Sequence, residues 1–424
     1  MKEDLLHYAW RLQRFNRTAL QTTTGEPIEI LHTGTYNTHA GPDFLHARIR
    51  IGDALWAGNV EMHLKASDWL QHGHQEDRAY DNVILHVVME EDTPVHHARG
   101  ERIPCLEMKK RIPQKLAAHY LRLLSNEDWI ACEQQFPSVS ELTRNLWLER
   151  LAAERLEQKA HLIAQQLEQN KEDWEETFYH FLARSFGARV NAEPFMMLAQ
   201  RCPLLLLRKH RHSLFQMEAL LFGQSGLLAG PFEEEYPQQL QKEYRFLRRK
   251  YKLQPLPPQA WKFLRLRPAN FPTLRIAQLC TLLFQTDNLF SKVMAALSMA
   301  EVENIFEVKL SNYWWTHYTF DKASEKKRKA MGRDAVHLIF INTIAPFLFL
   351  YGQRRGEEKY QERSLELLEA TRPESNAVIR RWKAIGATAD SAFQTQALLQ
   401  LKNEYCDRKR CLECAVGNVV LQRE

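Results

Sequence analysis

Much that would classify this chain at a glance is missing from its 424 residues. No apolar run reaches the ~20 residues that a bilayer-spanning helix needs. The longest, Ala335 to Tyr351, is interrupted by His337, Asn342 and Pro346. It reads as a buried helix kinked near Pro346, whose ring removes a backbone donor, and no membrane association is expected. The opening Met1-Lys2-Glu3-Asp4 is charged and lacks the apolar core of an export signal. The seven cysteines are few and odd in number, which argues against a disulfide framework and for a reducing cytoplasm. Internal repeats and low-complexity tracts are absent. So are Gly-x-Ser-x-Gly, His-Glu-x-x-His and the dinucleotide fingerprint. The glycine turn in Glu218–Gly226 has no Lys and Ser/Thr in phosphate-loop spacing, and is better explained as a helix end.

What is present is an ordinary globular composition, 45% apolar and 26% charged. At this length two or three domains are expected. Net charge is only +5, but it is unevenly spread. Residues 1–110 hold 12 Lys/Arg against 16 Asp/Glu, whereas residues 242–275 hold 10 Lys/Arg against the single acid Glu243. That local excess is a candidate phosphate-binding surface.

Periodicity sets the organisation. Glu3 to Phe15 reads as an amphipathic helix with Leu5, Leu6, Tyr8, Ala9, Leu12 and Phe15 on one side. Strands are expected at Ile28–Leu31, Leu45–Ile51, Ala54–Leu64, Val83–Met89 and Ile103–Met108, with a helix between Ser67 and Tyr80 opened by Ser67-Asp68. From Pro113 onward the pattern is helical. Glu141–Asn170 is a long charged helix whose apolar stripe is read as Leu142, Leu146, Leu151, Leu156, Leu162 and Leu167. Prolines 255, 257 and 258 mark an interior linker, and Phe320–Arg333 marks a second polar break. The expected fold class is mixed α+β: an αβββαβ unit at residues 1–112, a helical domain at 113–255, and a helical domain at 256–424 that carries a cysteine cluster.

The sharpest chemical signal lies in the first of these. Alternation in Val60-Glu61-Met62-His63-Leu64-Lys65 puts Glu61, His63 and Lys65 on one strand face. A hairpin turning at Gly52-Asp53 brings that strand back beside Gly41-Pro42-Asp43, so Asp43 and Glu61 can converge. Two converging carboxylates near a cation are what a divalent-metal hydrolase of phosphodiesters needs. The same alternation also suits a charged strand face turned to water, and Pro-Asp is an ordinary turn pair.

This arrangement is similar to the common core of the PD-(D/E)XK nuclease superfamily, over roughly residues 1–110. The resemblance implies that Asp43 and Glu61 bind Mg²⁺ or Mn²⁺, which polarises the phosphate and lowers the pKa of an attacking water. The superfamily's lysine falls two residues after the second acid, where this chain has His63, with Lys65 two positions further along. His63 orients water or ligates metal, Lys65 reaches over, or the chemistry has been lost; the sequence leaves these open. Over its whole length the chain resembles a bacterial family known as domain of unknown function 2851. The segments that carry this include Gly41-Pro42-Asp43-Phe44, Gly58-Asn59-Val60-Glu61-Met62-His63, Tyr80-Asp81-Asn82-Val83, Arg267-Pro268-Ala269-Asn270 and Cys411-Leu412-Glu413-Cys414.

Three further groups carry chemistry. Nine of the 17 histidines fall between His32 and His97. Within that stretch His74, Asp77 and His86 either rim the same cleft as the two acids or serve as a helix cap and a sheet histidine. Cys406, Cys411 and Cys414 place three thiols within nine residues, suited to zinc, or to an iron–sulfur cluster by the likeness of their spacing to plant-type ferredoxins. Cys280 is the leading fourth ligand with Cys202 or a histidine behind it, and three small apolar residues at a helix end explain the thiols equally well. Arg265, Arg267 and Arg275 are the candidate phosphate contacts. The resulting expectation is a metal-dependent nuclease acting on DNA. Two rival classes stand beside it: a nucleic-acid binder without catalysis, and a helical scaffold whose basic face docks an acidic protein.

Overall fold

The chain enters the fold through α1 (Glu3–Arg11), which buries Leu5, Leu6, Tyr8, Ala9 and Trp10. The structure is a computed structural model describing residues 3–423. Helix α1 stops short of the expected Phe15 because Gln13 adopts a left-handed φ of 50°. Leu12 is thereby left exposed while Phe15 still returns to the core. Packing divides the chain into two compact units, Met1–Trp147 with Leu401–Glu424, and Leu148–Gln400.

The first unit is built on a mixed sheet. Its strands are β1 (Ile28–His32), β2 (Thr35–Tyr36), β3 (Phe44–Ile51), β4 (Ala54–Lys65), β5 (Val83–Glu90) and β6 (Cys105–Glu107), in the order β1-β3-β4-β5-β6 with β2 pairing β3. The longer strands lie where alternation places them, because their apolar positions can be buried only in that register. β1, β3 and β4 pair antiparallel, and β4, β5 and β6 pair parallel. The parallel strand β5 is buried along most of its length, as a strand covered on both faces must be.

The β4–β5 crossover differs from the single helix expected there. It contains a one-turn helix α2 (Asp68–Gln71) and two 3₁₀ turns, His74–Glu76 and Arg78–Tyr80. Gly73 takes a φ of 75°, a left-handed conformation that favours glycine and ends α2. Asp77 is extended, and its carboxylate accepts from the Ala79 amide at 2.9 Å. After β6 come α3 (Gln114–Ser125) and the start of α4 (Glu141–Gln169). The terminal cysteine segment, grouped in the sequence with the last helices, packs in this unit.

The second unit is almost wholly helical. It takes α4 from Leu148 onward, then α5 (Trp174–Phe186), α6 (Ala192–Arg201), α7 (Leu204–Arg208), α8 (Leu214–Gln224), α9 (Glu235–Tyr251), α10 (Pro272–Gln285) and shorter helices. Along α4 the buried stripe is Leu148, Leu151, Ala152, Leu156, Ala160, Ile163 and Leu167. Leu142, Leu146 and Leu162, expected on that stripe, are exposed. The true stripe steps by three and four residues, and counting leucines alone missed the alanines and isoleucine that complete it. Helix α8 is buried continuously from Met217 to Gln224, the mark of a central helix. Phe178, Phe290 and Phe347 interlock in the same core with ring centroids 5.2–6.3 Å apart. The proline run lies inside this unit, with the Leu256 amide donating to Gln224 O at 2.7 Å.

The apolar stretch read as a kinked helix is part of a 23-residue helical path from Arg333 to Arg355. By length and composition that path could cross a bilayer, which corrects the shorter estimate from sequence, yet it is mostly buried within its unit. Its middle, Phe340–Ile344, is π-helical. Pro346 lacks the amide that would bond the Asn342 carbonyl, and the wider turn accommodates the loss.

Candidate metal centre

Strand β4 delivers Glu61 and His63 to one face, both buried, and the parallel register sets His86 of β5 directly beside Glu61. Asp43 arrives from the loop before β3. Its amide donates to Glu61 Oε2 at 3.1 Å, and its Oδ2 accepts from the Met62 amide at 2.9 Å. The two acids expected to converge are therefore held side by side. His7 of α1 closes the other side, with Nε2 3.3 Å from Asp43 Oδ2.

The broken crossover completes the cluster. His63 Nε2 lies 3.1 Å from His72 Nδ1 and 3.6 Å from Glu61 Oε1, and His74 Nε2 lies 3.4 Å from the same carboxylate oxygen. His63, His72 and His74 each offer a ligand atom within 4.8 Å of the others. A tetrahedral ion with metal–nitrogen bonds of about 2.1 Å spaces its ligands about 3.4 Å apart, which is the spacing found here. On its other side His63 Nδ1 meets His86 Nε2 at 2.9 Å, the kind of support that fixes a ligand's tautomer. Trp69 packs edge-on to His74 and Tyr80 stacks on it at 3.9 Å, covering His74, while His72 stays exposed at the rim.

The electrostatics follow from burial. Burial pushes the Glu61 carboxyl up to about 7, His74 pulls it down, and the neighbouring Asp43 charge pushes it up again. Burial drives His63 down to about 2, helped by His86, His74 and His72, and drives His86 down to about 3. Both imidazoles are thus neutral at physiological pH, the state a metal ligand needs. At His7, burial opposes the charge, but the hydrogen bond and charge of Asp43 overcome it and raise the pKa. The Nδ1 atom of His86 is buried without a hydrogen-bond partner among the described residues.

Other expected site residues fall elsewhere. Lys65 shares the strand face but is exposed beyond the cluster. Asp77 is exposed and serves as a cap. Arg265 and Arg267 are exposed in the second unit. Arg275 is half-buried and committed to Asn270 Oδ1 at 2.7 Å and Gln278 Oε1 at 3.1 Å, and burial lowers its pKa to about 10. Cys280 and Cys202, the expected fourth ligands, are buried in the second unit, whereas Cys406, Cys411 and Cys414 belong to the first. His7 was not anticipated. A histidine on the apolar side of an otherwise leucine-rich helix was the available signal.

An α+β unit that sets a buried and a half-buried carboxylate against a histidine cluster is therefore the candidate functional core. The chain belongs to the family described as protein of unknown function (DUF2851), whose model matches residues 3–377. Among curated proteins and solved structures none matches it.

Proposed function

We propose that the chain is a metal-dependent nuclease of the cytoplasm that hydrolyses phosphodiester bonds in DNA, on an N-terminal unit similar to the PD-(D/E)XK core. The observation that carries this reading is the meeting of Glu61, joined to Asp43, with the imidazoles of His63 and His74 at 3.4–3.6 Å, with His72 3.1 Å from His63. Nitrogen donors favour Mn²⁺ or zinc over Mg²⁺, so of the two ions first expected Mn²⁺ is preferred. The ion, when bound, supplies a polarised phosphate and an acidified water.

The chain's own residues do the rest. Glu61, His63, His72 and His74 hold the ion, Asp43 fixes Glu61 and adds negative charge, and His7 is placed to exchange a proton beside Asp43. His63 stands where the superfamily has lysine and, being neutral, acts as a ligand rather than a cation. A cavity of about 240 Å³ is lined by His7, Arg11, Tyr36, Arg408, Lys409 and Arg410 among others, and its cations suit a phosphate backbone.

The test is cleavage of labelled single- and double-stranded DNA and RNA with Mn²⁺, Mg²⁺ or Zn²⁺. The reading expects Mn²⁺-supported DNA cleavage that Asp43→Asn and Glu61→Gln each reduce by about a hundredfold or more. DNA binding that neither substitution disturbs, without cleavage, would make the protein a non-catalytic binder. No salt-sensitive DNA binding at all would leave the scaffold reading.

A further inference from the structure

Besides the histidine cluster, the first unit contains a second concentration of metal-binding atoms. Cys406 closes the π-helical segment Leu401–Cys406, and Cys411 and Cys414 bracket a single 3₁₀ turn, Cys411–Glu413. Cys414 is also the N-cap of the last helix, Ala415–Gln422. The fourth thiol comes from Cys132, more than 270 residues earlier in the chain.

Two contacts clamp the terminal segment onto the stretch around Cys132. Lys409 Nζ donates to Asn126 O, and the Asn126 side chain in turn donates to Ala131 O at 2.9 Å. Past the cysteines, Arg423 donates to the backbone and side chain of Ser138. Within the loop a Cβ at Gly417 would meet Cys411 O at 2.1 Å, so only glycine lets the last helix lie against that carbonyl.

The four cysteines share one unit, with Cys132, Cys411 and Cys414 buried and Cys406 half-buried. Burial raises Cys132 to about 12, with Cys414 and Cys411 adding to the rise. Burial also raises Cys406, followed by Cys414, Cys132 and Cys411. At Cys414 burial is opposed by the amides of Gly417 and Val416 and by the Trp147 indole, all turned toward its sulfur, leaving it near 11. Donors aimed at a buried sulfur serve no neutral thiol well but do stabilise a thiolate bound to metal. Positive charge is at hand too, with Lys402 acting on Cys406 and Lys409 on Cys411.

We propose that Cys132, Cys406, Cys411 and Cys414 form a four-thiolate site for an iron–sulfur cluster that pins the C-terminal segment to the first unit. A single zinc ion would draw its sulfurs to about 3.8 Å from one another. Among the described residues no three of these thiols close to within 4.8 Å, whereas a cluster, with its metals and sulfides in between, holds them wider. Each thiol gives up its proton on ligation. The centre has a positioning role: the loop between Cys406 and Cys411 is the one that presents Arg408, Lys409 and Arg410 to the cavity beside His7. It stands independently of the nuclease reading.

The experiment is anaerobic purification of the full chain, with iron, zinc and acid-labile sulfide measured per folded protein in wild type, Cys132→Ser and Cys280→Ser. Wild type and Cys280→Ser are expected to hold about two or about four irons with matching sulfide and a broad visible absorption band, and Cys132→Ser to fall about tenfold or more. Iron-edge X-ray absorption on the wild type, which needs no variant to fold, should give an all-sulfur shell. Stoichiometric zinc in place of iron would overturn the cluster. Wild type that stays metal-free after reconstitution with iron and sulfide, or a Cys132→Ser protein that is folded and keeps its iron, would overturn the site itself.

Discussion

The backbone amide of Asp43 donates to Glu61 Oε2 at 3.1 Å, so the acid that precedes β3 and the acid within β4 are positioned as one unit. The carboxylate of Asp43 returns the constraint by accepting from Met62, the neighbour of Glu61. Such mutual support means that neither acid can drift without moving the other. Glu61→Gln keeps the shape and a hydrogen-bond acceptor but removes the charge. We expect it to weaken Mn²⁺ or Zn²⁺ binding by about 10–100-fold, read by isothermal titration calorimetry. Unchanged affinity would remove Glu61 from the ligand set.

His63 and Lys65 share a strand face but not an environment. His63 is buried among three imidazoles, whereas Lys65 is exposed. His63→Ala is therefore expected to abolish metal binding, and Lys65→Ala to leave both metal affinity and any cleavage within about twofold of wild type. Loss of cleavage in Lys65→Ala with metal binding intact would instead mean that the exposed lysine reaches the substrate.

Glu218 gives the second unit a pH-dependent stability. Its side chain, on the central helix α8, is buried and bonded to Trp314 Nε1 at 3.0 Å and to the Tyr236 hydroxyl. Burial, offset in part by those bonds, raises its pKa from 4.5 to about 7. The folded state therefore holds this proton more tightly than the unfolded state. Its contribution is most favourable below about pH 4.5, is lost as pH rises toward 7, and is flat above. The loss amounts to at most about 3 kcal/mol. Denaturant unfolding of the full chain at about pH 5 and pH 8 should show that decline, and Glu218→Gln should flatten it. An equally steep decline in the variant would assign the effect to other groups.

Helix α4 offers a direct check on its buried face. Leu151 is fully buried and Leu146 is 56% exposed, although both fit a leucine stripe. Leu151→Ala should cost about 2–5 kcal/mol and Leu146→Ala less than about 1 kcal/mol, measured by urea unfolding. Equal costs would mean that the helix turns a different face inward.

Local pattern carried much of the fold. Strand β3 follows from alternation, β5 from a continuous apolar run suited to a strand covered on both faces, and the helical character after Pro113 from a 3.6-residue period. The carboxylate pair was visible for the same reason, since a short hairpin brings sequence neighbours together. Propensity failed where a single backbone angle decides the outcome. Gly73 breaks the expected crossover helix, and that break brings His74 to Glu61 and His72 to His63.

By itself, then, the sequence determined the mixed α+β class, the main strands of the N-terminal sheet and the convergence of Asp43 with Glu61, all properties of residues close along the chain. Only the tertiary structure decided that His7 joins Asp43, that Lys65 is left out, and that Cys132 shares a unit with the terminal cysteines while Cys280 does not. Those pairings join residues far apart in the chain. No periodicity encodes them, because they are set by which buried surfaces pack together rather than by any local preference of the backbone.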